Sequence, residues 1–235
     1  MTSGASMARQ SAKTTFETEG RLWLRQAISE QDLQLFDQAA ASQTKAGARL
    51  ARSTTLTHAL RADGTLLRAL RWIDAETHPV RTVAFNKSEA TNWGVPWHQD
   101  RVIAVKDRAN LPGYTNWTQK SGIWHCEPPQ QVLENMLFVR VHLDDTDEDN
   151  GAMALALGSH KKGIITAAAA ETEAGKLPIE ICQAQRGDVL VLKMLTLHCS
   201  KPARVPSGRR VLRVDCASFA LPPPLEWQDL GAQRL

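Results

Sequence analysis

At 235 residues, 43% of them apolar, the chain is long enough to bury a full core, and single-domain all-β proteins commonly reach this length. Twenty-eight basic against 25 acidic residues leave a formal charge of +3, too even a balance to point to nucleic acid, and no apolar run approaches membrane-spanning length. Four cysteines (Cys126, Cys182, Cys199 and Cys216) have no C-x-x-C spacing, which argues against a zinc ribbon or a disulfide framework and for a reduced, cytoplasmic setting.

Residues 1–15 are small, polar and weakly basic, and are expected to be a disordered tail ahead of a single domain over 16–235. Phe16 to Ile28 reads as an opening strand. Ser29 then stands as an N-cap before Leu33, Phe36, Ala39 and Ala40 at helical spacing, predicting a helix over 30–43. A second helical pattern over 53–71 is interrupted near Asp63-Gly64.

From Val80 the periodicity becomes that of strands, with β-rich segments at 80–85, 101–105, 136–143, 152–157, 179–182, 188–192 and 211–219. Helices first and many short strands afterwards describe a mainly β jelly roll with N-terminal helices. Residues 106–129 carry glycines, prolines and aromatics with little periodicity, and read as a lid or pocket wall. In 136–143, Arg140 and His142 share a face, which points to water on a half-buried strand and inward if the barrel encloses a polar site. The acidic loop Asp144–Gly151 ends in Asn-Gly, a hairpin signal. It fails as a calcium loop, because with Asp145 as position 1 the sixth position is Asn150 and the twelfth Ala156.

The chemistry centres on Trp97-His98-Gln99-Asp100. On an extended segment, side chains two apart project to one face, so His98 and Asp100 can converge on one ion. A third ligand must come from elsewhere, and His198, directly after the strand-like run Gly187–Leu197, is the best candidate. Two histidines and one carboxylate on one face of a metal leave the other face open, the arrangement of non-haem Fe(II) oxygenases.

Taken together, N-W-G-V-P-W-H-Q-D (92–100), H-L-D-D-T-D-E-D-N-G (142–151), L-G-S-H-K (157–161), G-D-V-L-V-L (187–192), L-H-C-S (197–200) and R-R-V-L-R-V (209–214) resemble the phytanoyl-CoA dioxygenase family of Fe(II)/2-oxoglutarate oxygenases. The resemblance implies a cupin-like double-stranded β-helix, with Fe(II) held by His98, Asp100 and His198. It implies that 2-oxoglutarate is the cosubstrate, its far carboxylate bound by Arg209, with Arg140 and Lys87 as further candidates. Arg210 would point the other way. It further implies that O2 oxidises a small organic substrate, with release of succinate and CO2, by hydroxylation or desaturation rather than halogenation, since the halogenases related to this family lack the carboxylate ligand that Asp100 supplies. The family usually has proline where Leu157 stands. Trp97, Gln99, Trp117, Trp124 and His125 are the candidates to line the substrate pocket. The expected partner is a small molecule, with neither nucleic acid nor membrane, on a monomer or homodimer. The alternative is a cupin-like metal-binding protein that is non-catalytic or independent of oxoglutarate, for which Arg209 would have no use.

Overall fold

The computed structural model describes residues 3–41 and 47–230, with side chains from residue 9 onward. Where a disordered tail is expected, Ser3–Glu19 forms one helix (α1). Thr14 and Thr18 return hydroxyl bonds to carbonyls four residues back, and Phe16 anchors the last turn in the core. Burial of its last turn, rather than the propensity of a stretch rich in Ser and Thr, is what tertiary structure adds to this helix. Strand β1 (Arg21–Leu24) follows, then α2 (Glu30–Ala40), whose Ser29 cap accepts from Asp32 N as its position predicts. After β2 (Ala48–Arg49), the interrupted helical pattern becomes two short helices, α3 (Thr54–Ala59) and α4 (Thr65–Leu70).

Asp32 ties these helices together. Buried on α2, it accepts from Thr65 N (2.8 Å) and Thr65 Oγ1 at the start of α4, and pairs with Arg61 at 2.7 Å. Burial alone would raise its pKa, but the bonds from Thr65 and Arg61 outweigh it and hold the carboxyl below its ordinary value. A folded pKa below the unfolded one means stability that is present above about pH 4 and lost as the pH falls through the folded value. Asp32→Asn is expected to cost about 3 kcal/mol at neutral pH. In urea titrations, the wild-type advantage should shrink steadily once the pH drops below about 4.

The remaining chain is mainly β: β3 (His78–Lys87), β4 (Val95–His98), β5 (Ile103–Val105), β6 (Thr115–Lys120), β7 (Ile123–Glu127), the short α5 (Gln130–Glu134), β8 (Leu137–His142), β9 (Met153–Ala156), α6 (Ala170–Ala174), β10 (Ile179–Ile181), β11 (Val189–Lys193), β12 (His198–Ser200) and β13 (Arg209–Ala217). Among the described residues these form antiparallel sheets in the orders β1-β11-β8-β13-β3-β2, β10-β9-β12-β4 and β5-β7-β6.

The six-stranded sheet is buried on both faces. On β8, Leu137, Val139 and Val141 join the cluster under α2–α4, while Phe138 faces a second cluster on the opposite side. Arg140 and His142 share that second face and are buried, so the solvent-facing alternative for them is overturned.

Two expectations need correction. Residues 106–129 are not an irregular lid: β6 and β7 form a hairpin joined to β5. Its turn is Ser121-Gly122, both at positive φ (53° and 76°), which suits the twist of a two-residue hairpin loop. And Asn150-Gly151 does not close a hairpin, because β8 and β9 lie in different sheets. The turn carries the chain across from one sheet to the other.

Candidate active site

Register places the three candidate metal ligands. β4 and β12 pair so that His98 and His198 stand directly opposite, their rings 4.3 Å apart between centroids. Each imidazole uses Nδ1 against the carbonyl two residues earlier, Pro96 O for His98 and Thr196 O for His198, both at 2.9 Å. That fixes the tautomer with a protonated Nδ1 and leaves Nε2 as a lone-pair donor. Asp100 follows β4, and ligating atoms of His98, Asp100 and His198 all lie within 4.8 Å of one another. Burial, then the neighbouring His198, push the His98 pKa down, so its imidazole is neutral near pH 7 and free to ligate.

Gln99, between two of these residues, points the other way and is buried. Its amide donates to Gly163 O (2.9 Å) and Leu195 O (2.7 Å) and accepts from Ile165 N (2.8 Å). It pins the His-x-Asp segment to the loop at 163–165 and to Leu195 ahead of β12. The Gly-Ser-His stretch also braces the site, since Ser159 Oγ accepts from Leu197 N at 2.8 Å and so fixes the residue before His198. Leu157 N donates to Pro178 O at 2.9 Å, a bond that a proline at this position could not make.

A cavity of about 260 Å³ adjoins the cluster, lined by residues of both the six- and four-stranded sheets. Alternation along β13 puts Arg209 into it, whereas Arg210 pairs with Asp144 (2.7 Å) and Asp37 (2.9 Å) on the far face. Arg209 donates from Nε to Asn150 O and from Nη2 to Gly151 O, and its buried Nη1 has no partner among the described residues. Lys87, opposite Arg209 in register, and Arg140 line the same space. Burial and these like charges bring Lys87 down to about 8 and Arg140 to about 9, while burial brings Arg209 to about 10.

Arg213 is the residue that sequence reasoning missed. It shares the inward face of β13 with Arg209, clamps Asp215 (Nε 2.6 Å, Nη2 3.0 Å) and donates to Asp100. Burial would raise the Asp100 pKa, but Arg213 and His198 hold it well below the carboxylate range, so Asp100 is an anion.

The five substrate-pocket candidates fare differently. Trp97, Gln99, Trp117, Trp124 and His125 are not among the cavity's lining residues. Trp97 packs on a small cluster with Leu197, while Trp117 and Trp124 meet edge-to-face at 6.4 Å against the second core cluster. His125 is buried in β7, where burial and then Arg81 and Arg49 push its pKa to about 4. A larger cleft of about 600 Å³ beside Pro223–Trp227 contains none of the triad.

Two histidines and one carboxylate, converging beside a cationic cavity between antiparallel sheets, are the donor set of a non-haem iron oxygenase. The family model described as Phytanoyl-CoA dioxygenase (PhyH) matches residues 9–211, and the chain belongs to that family. It is an oxidoreductase, a non-haem iron dioxygenase that uses 2-oxoglutarate and O2.

No curated protein matches the chain in sequence. Solved structures share its fold at low identity. AviO1 from Streptomyces viridochromogenes Tue57 is 19% identical (TM-score 0.61, 92% of this chain and 97% of that one). HygX from Streptomyces hygroscopicus with nickel and 2-oxoglutarate bound is 16% identical (0.61, 95% and 91%). EctD from S. alaskensis with 2-oxoglutarate and 5-hydroxyectoine is also 16% identical (0.64, 89% and 75%). Among the described residues, no helix is long and apolar enough to cross a membrane.

Proposed function

We propose that the chain is a double-stranded β-helix oxygenase that hydroxylates or desaturates an unactivated C–H bond of a small organic substrate, with His98, Asp100 and His198 as the iron ligands. The observation that carries this reading is the cross-strand pairing of His98 with His198, whose ligand atoms and those of an ionised Asp100 all lie within 4.8 Å of one another. Bound iron would supply the oxidative chemistry, coupling decarboxylation of 2-oxoglutarate to succinate and CO2 with attack on the substrate.

The protein's own part is orientation and charge. Arg209 suits the far carboxylate of 2-oxoglutarate: its planar fork has Nη1 unpartnered and buried, and a guanidinium meets a carboxylate through parallel charge-assisted bonds. Lys87 and Arg140 add positive charge at that end. Arg213 steadies Asp100 from behind. The presence of Asp100 as a carboxylate ligand favours hydroxylation or desaturation over halogenation.

Residues 16–235 are taken as one oxygenase domain, a monomer or homodimer. A reduced cytoplasmic setting is supported by four free cysteines, of which Cys126, Cys182 and Cys216 are buried. A screen of small organic compounds with Fe(II), ascorbate and 2-oxoglutarate, read as succinate release, tests the function. Stimulation by a compound recovered with an added oxygen or a new double bond is the expected result. A halogenated product would contradict it.

A further inference from the structure

Arg49 and Arg81 line the cavity but stand away from its Arg209 end. Lys87, the cross-strand partner of Arg209, is six residues from Arg81 along β3, roughly 20 Å at the rise of a strand. Arg49 lies on the sheet's edge strand opposite Val83, two residues from Arg81 on the same face, so the two arginines are diagonal neighbours. Asp100 lies within the electrostatic reach of both.

Neither guanidinium is fully satisfied, although Arg81 donates from Nη1 to Val102 O at 3.2 Å. Both carry a buried Nε with no hydrogen-bond partner among the described residues. Arg49 makes no ion pair with another described residue, and Arg81 shares Asp215, at 3.3 Å, with the two-pronged clamp of Arg213. Burial and the charge of Arg213 push both below the ordinary arginine range.

The charge balance points the same way. Among the described residues, Arg49, Arg81, Lys87, Arg140, Arg209 and Arg213 line the cavity against one lining carboxylate, Asp100, with Asp215 behind Arg81 and Arg213, so cations still outnumber anions. Iron brings two positive charges and 2-oxoglutarate two negative ones, so binding both leaves the cationic excess where it was. The cations in excess of Asp100 and Asp215 stand beside Val83, Phe85 and Phe138, where they are poorly solvated and call for a further anion.

We propose that the primary substrate is itself an anion, and that Arg49 and Arg81 bind its carboxylate or phosphate on the side of the triad away from Arg209. The proposal rests on the oxygenase reading of the site. It places the oxidisable carbon between two anion sites, one for the cosubstrate and one for the substrate.

Calorimetry on protein saturated with Mn(II) and 2-oxoglutarate tests this. Benzoate and phenyl phosphate serve as anionic probes, and benzamide and phenol as their neutral counterparts. At least one anion is expected to bind where its neutral counterpart does not, and which of the two binds tells carboxylate from phosphate. Arg49→Gln should weaken that anion about tenfold or more while 2-oxoglutarate affinity stays within about twofold. Arg81→Gln should act in the same direction. Should its loss of buried contacts prevent folding, Arg49→Gln, on the edge strand, carries the test. Neutral probes binding as tightly as anions, no anion binding to the wild type, or equal affinity in wild type and Arg49→Gln would each overturn the proposal. Failure of the underlying reading looks different: the Mn(II)-bound wild type would then not bind 2-oxoglutarate at all.

Discussion

His198→Ala is expected to abolish metal binding and turnover while leaving the fold in place. His198 sits on β12 opposite His98, and its Nε2 is 3.2 Å from Asp100, so removing it opens the shared face. Loss of an outer-shell partner alone typically costs 10–100-fold in metal affinity. Loss of one of three direct ligands should therefore exceed ~100-fold. His98→Ala and Asp100→Asn belong to the same unit and should behave alike. Mn(II) titration calorimetry gives the affinity, and circular dichroism checks the fold. Wild-type affinity in His198→Ala would assign the third ligand elsewhere.

Arg209→Ala should act on the cosubstrate alone. A hydrogen bond to a charged group is worth roughly 1.5–3 kcal/mol, so affinity for 2-oxoglutarate should fall by about one to two orders of magnitude. Mn(II) affinity should hardly change, because Arg209 contacts none of the three ligands. Arg210→Ala should leave 2-oxoglutarate binding near wild type, since its guanidinium is engaged with Asp144 and Asp37 on the opposite face. The reverse ranking would move the cosubstrate to the other side of β13.

Local spacing made the centre of this site legible. His98 and Asp100 are two residues apart, His198 follows a strong apolar strand, and strand alternation separates Arg209 from Arg210. Each inference needs only the period of a strand. The long-range partners were out of reach. Arg213 becomes a neighbour of Asp100 only once β13 and the segment after β4 meet, 113 residues apart in the chain. Its one available signal was its shared parity with Arg209.

The aromatic residues lie away from the cavity beside the triad, and the sequence could not show this for a related reason. Trp117, Trp124 and His125 lie on a hairpin whose first strand, T-N-W-T-Q-K, is largely exposed and shows no alternation of apolar and polar residues. Composition could mark them as unusual, but not decide between a pocket and a core cluster. Gln99 was drawn toward the substrate by its neighbours, although the same alternation that joins His98 to Asp100 turns it away from them.

The central claim is that this chain couples 2-oxoglutarate to substrate oxidation at the His98–Asp100–His198 centre. Succinate release by the anaerobically purified protein, measured after adding Fe(II), 2-oxoglutarate and air, tests it most directly. Succinate should form in the wild type only when all three are supplied, and fall to background in His198→Ala. Succinate formed without added iron by metal-stripped wild type, or formed at the wild-type rate by His198→Ala, would contradict the account.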